Sequence, residues 1–282
     1  MSRADAAGGR RSASLALTRS ELAVLFRRSR TWAMLLALAA VPVLVAVAVR
    51  LSSGRAAGRG PALIGAIAGN GLFVGVASLV LAIPLFLPLT IGVVAGDTIA
   101  GEASQGTLRY LLVVPAGRVR LLVVKYVGAA AFCLAAPFVV VITGTLIGWA
   151  LFPVGPVTLL SGDQVPVLEG LGRLAAIALY VAVSLLGLAA IGLFVSTLTD
   201  VPVGAMAATV VLAVASQVLD QLPQIAWLHP WLFTDSWFGL IDLLRQPPIW
   251  STFGQNLLLQ LGYIAVFGGL AYGRFTTRDV LA

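Results

Sequence analysis

Long uncharged runs, each bounded by Arg, Asp or Glu, recur along this chain at lengths beyond what a soluble helix or strand requires. Residues 33–49 form the first. With Trp32 and Leu51 at its edges, this run supplies the ~20 residues an α-helix needs to cross about 30 Å of hydrocarbon at about 1.5 Å per residue. The same criterion predicts six transmembrane helices near 32–51, 72–95, 121–151, 174–195, 203–219 and 256–273. The second lies within an uncharged stretch longer than one crossing, where Gly69-Asn70-Gly71 separates an entry segment from the span. Pro84 and Pro88 each remove a backbone donor there, so a kink is expected, with packing geometry as its simplest use. The third run is also overlong; it contains Pro137, and Gly144 and Gly148 stand four apart, a spacing that permits close helix contact. Residues 153–173, with Asp163 and Glu169, read as an external loop with a re-entrant or interfacial portion, and 196–202, with Asp200, as a tight turn.

Polar patterning fills in the rest. Residues 1–14 are rich in Arg, Ala and Ser and read as a disordered cytoplasmic tail rather than a signal peptide. From Leu15 to Arg30, Leu22, Leu25 and Phe26 recur at helical spacing among Arg19, Glu21, Arg27, Arg28 and Arg30, which predicts an amphipathic helix on the membrane surface; Val24 falls on its polar side. A basic anchor beside the first span accounts for the same residues. Between Asp220 and Gln255 stand Trp227, Trp231, Trp237 and Trp250, a density that marks interfacial placement. With both termini cytoplasmic, 13 of the 18 Lys and Arg residues fall inside and 5 outside, an asymmetry that favours this orientation.

Composition agrees: 60% of residues are apolar, 10% are charged, and mean hydropathy is +1.02. The formal charge of +7 sits at the ends of apolar runs, so membrane topology explains it and nucleic acid is not expected as a partner. Cys133 lies alone in an apolar run and reads as a small buried hydrophobe. The sequence has no G-x-x-x-x-G-K-[ST], no H-E-x-x-H and no G-x-S-x-G, and one histidine, His229, which reads as an interfacial polar residue. No catalytic residue, metal site or cofactor of its own is therefore expected. The reading also places no ionisable side chain in the cores of the six spans, which leaves proton or ion coupling without obvious machinery.

One stretch departs from the rule of short polar turns. From Gly96 to Lys125 the chain reads GDTIAGEASQGTLRYLLVVPAGRVRLLVVK, gathering two acids, three arginines and the sole lysine between the second and third spans. Its Asp97, Glu102, Gly106, Thr107, Leu108, Leu111, Leu112, Pro115, Arg118 and Lys125 form a spaced pattern. That pattern resembles the same segment of the ABC-2 family of ATP-binding-cassette permeases. Seven apart, Glu102 and Arg109 could share one helical face, with Leu108, Leu111 and Leu112 opposite. A solvated loop with ordinary positive-inside residues is the alternative.

The resemblance implies an all-α membrane protein: an amphipathic elbow helix, six spans, a cytoplasmic coupling helix between spans 2 and 3, and short outer half-helices before span 6. Residues 15–282 would be a single transmembrane domain. It implies a permease subunit in the inner (plasma) membrane that exports a small amphiphilic molecule, lipid or drug. Two copies of a separate ATPase would bind ATP and magnesium, and a second copy or a homologous permease would complete the assembly among membrane lipids. Asp97, Glu102, Gly106, Thr107, Arg109, Pro115 and Arg118 would serve ATPase coupling. A non-transporting membrane scaffold or assembly factor and an ion-coupled secondary transporter are the alternatives.

Overall fold

A short amphipathic helix α1 (17–27) leads through a bend at Arg28 into α2 (Ser29–Ser52). The structure is a computed structural model and describes residues 17–52, 67–106, 118–159 and 161–277, with the side chains of 118 and 276 excepted. The disordered tail expected at 1–14 lies outside these residues. In α1, Leu25 and Phe26 pack against the core while Val24 is exposed, as the spacing predicts. The bend is held by the Trp32 indole, which donates to the Phe26 carbonyl at 2.8 Å.

The second crossing is two helices, α3 (Phe73–Ala82) and α4 (Phe86–Ser104), interrupted around Pro84. Pro84 breaks the helix, whereas Pro88, in the first turn of α4, needs no intrahelical partner and is tolerated. The Gln217 amide donates to the Pro84 carbonyl at 3.0 Å, satisfying an acceptor near the break. α5 (Arg118–Leu151) follows; its 34 residues make it about 51 Å long, well over one hydrocarbon thickness. Gly144 and Gly148 meet Gly75 and Gly71 on α3 and its entry turn. A Cβ on Gly148 would stand 2.0 Å from the Gly71 carbonyl oxygen, so the two backbones touch there.

A two-residue antiparallel pair, β1 (Val157–Thr158) with β2 (Gln164–Val165), turns the chain into α6 (Val167–Ser184). The fourth crossing thus begins at Val167, seven residues earlier than hydropathy predicts. Glu169 and Arg173 are what depressed the local hydropathy, and they pair with each other at 2.8 Å across one helical turn. α6 continues beyond Leu185 as α7 (Leu186–Leu198), then α8 (Pro202–Asp220), three 3-10 segments (Pro223–Ile225, His229–Trp231 and Asp235–Leu244), and α9 (Ser251–Thr277). Six of the described helical stretches are long and apolar enough to cross a membrane.

Two buried polar joints tie these elements together. Around the α6–α7 junction, Asn256 donates to the Ser184 hydroxyl at 2.7 Å and Trp237 to the Ser184 carbonyl at 3.0 Å. Gln260 accepts from the Gly187 amide and donates to the Phe233 carbonyl, both at 3.1 Å. Trp237 is therefore a core residue, 1% exposed, unlike the exposed Trp227, Trp231 and Trp250, and corrects the expectation that all four tryptophans sit at an interface. At the other joint, the Ser196 hydroxyl accepts from the amides of Ile99 and Ala100 at 2.9 Å and donates to the Gly96 carbonyl at 2.8 Å. An α7 side chain is thereby wedged against the backbone ladder of α4.

Candidate functional site

The charged residues converge at one end of the helices, where α1, the last turns of α4 and the first turns of α5 meet. α4 continues through Ser104 because Ile99, Ala100 and Gly101 extend its buried face past Asp97. Asp97 and Glu102 are thus helical residues, not members of an irregular connection. Lys125 lies two turns inside α5, and its side chain is 5% exposed. The cation is kept by two carboxylates: Nζ donates to Glu21 Oε1 of α1 at 2.8 Å and to Glu102 Oε1 of α4. A buried ammonium needs such compensation, since its desolvation is otherwise too costly to keep the charge.

A second contact lies beside the first. Asp97 accepts from Arg28 at 3.3 Å and from Arg30 at 3.0 Å, and Arg30 also donates to the Val93 carbonyl at 3.3 Å. Glu21, Arg28, Asp97, Glu102 and Lys125 line a cleft of ≈ 40 Å³. The bend between α1 and α2 is what brings Arg28 and Arg30 onto α4.

Of the residues expected to serve coupling, the structure brings Asp97 and Glu102 into this cluster. Gly106 follows the end of α4 at φ +68°, a left-handed conformation that glycine adopts without strain and that commonly stops a helix. Arg118 opens α5. Thr107, Arg109 and Pro115 lie outside the described residues, as does the shared face expected for Glu102 and Arg109. Glu102 itself is 16% exposed and ion-paired, so it is not the solvated side chain that a loop position implies. Sequence reasoning missed the ion-pairing roles of Glu21, Arg28, Arg30 and Lys125: it placed the first three on an amphipathic surface helix and Lys125 in the spaced pattern, without partners. The signal that marks Lys125 is its placement after four apolar residues in a chain with no other lysine.

Residues 15–280 match the family model described as ABC-2 family transporter protein, nearly the whole chain. The chain belongs to the ABC-2 transporter family. No curated protein matches it. Six candidate spans and this ABC-2 assignment make the chain a multi-pass membrane protein and a transporter permease by family. In this ABC-2 protein ion pairs join the end of α4 to α5 through Lys125, and to the α1–α2 bend and α2 through Arg28 and Arg30.

Proposed function

We propose that this chain is the membrane-spanning subunit through which a separate ATPase drives export of a small amphiphilic molecule, lipid or drug. The single observation that carries the reading is the ABC-2 family match over residues 15–280. The clustering of Asp97, Glu102 and Lys125 at one end of the helices supports it, because an energy-coupling surface needs rigid attachment to the spans. In this reading that end faces the cytoplasm in the inner (plasma) membrane, both termini lie on the same side, and α1 is the elbow helix. The stretch containing Asp97, Glu102, Gly106, Thr107, Arg109, Pro115 and Arg118 receives the ATPase. The 3-10 segments take the place of outer half-helices. Two ATPase copies carry ATP and magnesium, and a second copy of the chain or a homologous permease completes the path.

Copurification of the full chain with an ABC ATPase, followed by a screen for compounds that stimulate ATP hydrolysis, tests this directly. Stimulation that requires the chain supports the reading. Failure of any ABC ATPase to bind the chain, or robust hydrolysis by the isolated chain, sinks it.

A further inference from the structure

A cavity of ≈ 310 Å³ lies between α7, α8 and α9 beneath the 3-10 segments. Its walls are Phe194 and Val195 of α7, Leu212 and Ala215 of α8, and Tyr263 and Phe267 of α9, with Phe233 as a roof. The volume is within the range of small-molecule sites, about 300–1,000 Å³. Along α8 the lining runs from Leu212 to Leu219, a depth of about 10 Å. The aromatic wall is fixed by packing: Tyr263 and Phe267 stack at 5.8 Å, and Phe233 meets Tyr263 edge-on at 5.4 Å.

The polar groups inside are already engaged with one another. Ser216 and Thr234 share a hydrogen bond of 2.8 Å, and the Tyr263 hydroxyl donates to the Trp231 carbonyl at 2.7 Å. The interior thus offers an occupant apolar surface only. Its mouth differs. Asp220 stands one turn beyond Ser216 on α8, and Asp235 directly follows Thr234, so the Ser216–Thr234 hydrogen bond brings two acid-bearing segments together beside Leu219 and Leu232 of the lining. Neither α7, α8 nor the chain from 221 to 244 contains a Lys or Arg, and α9 carries none before Arg274. Among the described residues, His229 is the basic side chain whose charge acts on both acids.

We propose that this groove binds a cationic amphiphile, its apolar tail between α8 and α9 and its ammonium or amine head between Asp220 and Asp235. The groove opens through exposed Leu212 and Leu219 toward the side of the bundle, so a tail enters from the hydrocarbon while the head stays at the membrane surface. Charge complementarity selects the occupant: a phosphate or sulfate head would meet two acids and no Arg or Lys. Partial burial pushes the Asp235 carboxyl above the usual range; Asp220 adds to this and His229 opposes it. The site rests on the export reading only for its role as a cargo site, not for binding.

The test uses the full chain in phosphatidylcholine nanodiscs without ATPase, titrated with radiolabelled dodecyltrimethylammonium, dodecyl sulfate and dodecyl maltoside. Saturable binding is expected for the cation, with the anion weakest. Asp220→Asn and Asp235→Asn should each weaken the cation about fivefold and leave the neutral amphiphile unchanged. Ala215→Trp and, independently, Leu212→Trp should block the cation, with mixed-micelle unfolding checking that each variant folds. Equal binding of all three heads, unchanged binding in both filled variants, or no saturable binding because bilayer lipid occupies the groove would overturn the proposal. Intact cation binding with no ATPase-driven export leaves the groove standing and removes the export reading; export without this binding does the reverse.

Discussion

Replacing Glu102 by Gln and Lys125 by Met, singly and together, tests whether the charged end is one cooperative unit. Lys125 is almost wholly buried between Glu102 and Glu21, so Lys125→Met leaves two acids converging on a space with no cation. Breaking a buried pair in this way costs about 3–5 kcal/mol. Glu102→Gln is milder, because Lys125 retains Glu21 at 2.8 Å; loss of one charge-assisted hydrogen bond costs about 1.5–3 kcal/mol. With both replaced, the Glu21 carboxylate alone remains, a quarter exposed and able to turn to water. The double variant should therefore recover about 1–3 kcal/mol relative to the sum of the singles. Reversible unfolding in mixed micelles of rising dodecyl sulfate fraction, read by circular dichroism, gives the cycle. Additivity within about 0.5 kcal/mol would refute the shared clamp and return Glu102 to an independent surface site. The same cycle governs how coupling variants are read. Glu102→Ala is not neutral for folding, so loss of ATPase stimulation counts as lost coupling only when Glu102→Asp retains both stability and stimulation.

Three further outcomes follow from the packing and the proposed orientation. Gly148→Ala, whose new Cβ would meet the Gly71 carbonyl, should destabilise by about 1–3 kcal/mol in the same unfolding assay, whereas Gly155→Ala, with open space around it, should stay within about 0.5 kcal/mol. Asn256→Leu removes the donor to Ser184 and the acceptor for Gln260 and should cost about 1–2 kcal/mol; an unchanged midpoint would mean that this joint adds nothing to stability. In a Cys133→Ala background, an impermeant maleimide applied to intact cells should label Ala57→Cys or Asp163→Cys and spare Ser104→Cys; strong labelling at position 104 contradicts a cytoplasmic charged end.

Hydropathy gave the right number of candidate spans because apolar runs of that length have few other uses, although the second falls at Phe86–Ser104 instead of 72–95, and the four-residue spacing of Gly144 and Gly148 marked a real backbone contact. Where charges interrupt a helix, the same signal fails. Asp97 and Glu102 lower the local hydropathy, yet Ile99, Ala100 and Gly101 keep the buried face continuous, and Arg28, Arg30 and Lys125 neutralise the acids from other helices. Those partners are 69, 67 and 23 residues away in sequence, beyond what local spacing reveals. Trp237 was misplaced for a related reason. Its indole resembles that of Trp231 in sequence, and only the Ser184 carbonyl freed at the α6–α7 junction makes it a core residue.

The Ser196 wedge locks the charged end of α4 to α7. One hydroxyl serves two amides and a carbonyl of α4, so the turn bearing Asp97 and Glu102 cannot slide along α7 without surrendering all three contacts together. Around it the apolar faces interlock as well: Ile99 and Leu193 share one buried cluster, and Ala95 lies against Gly192. A close-packed seam has little slack, so a displacement of the charged turn is carried into α7 instead of being absorbed between the two helices.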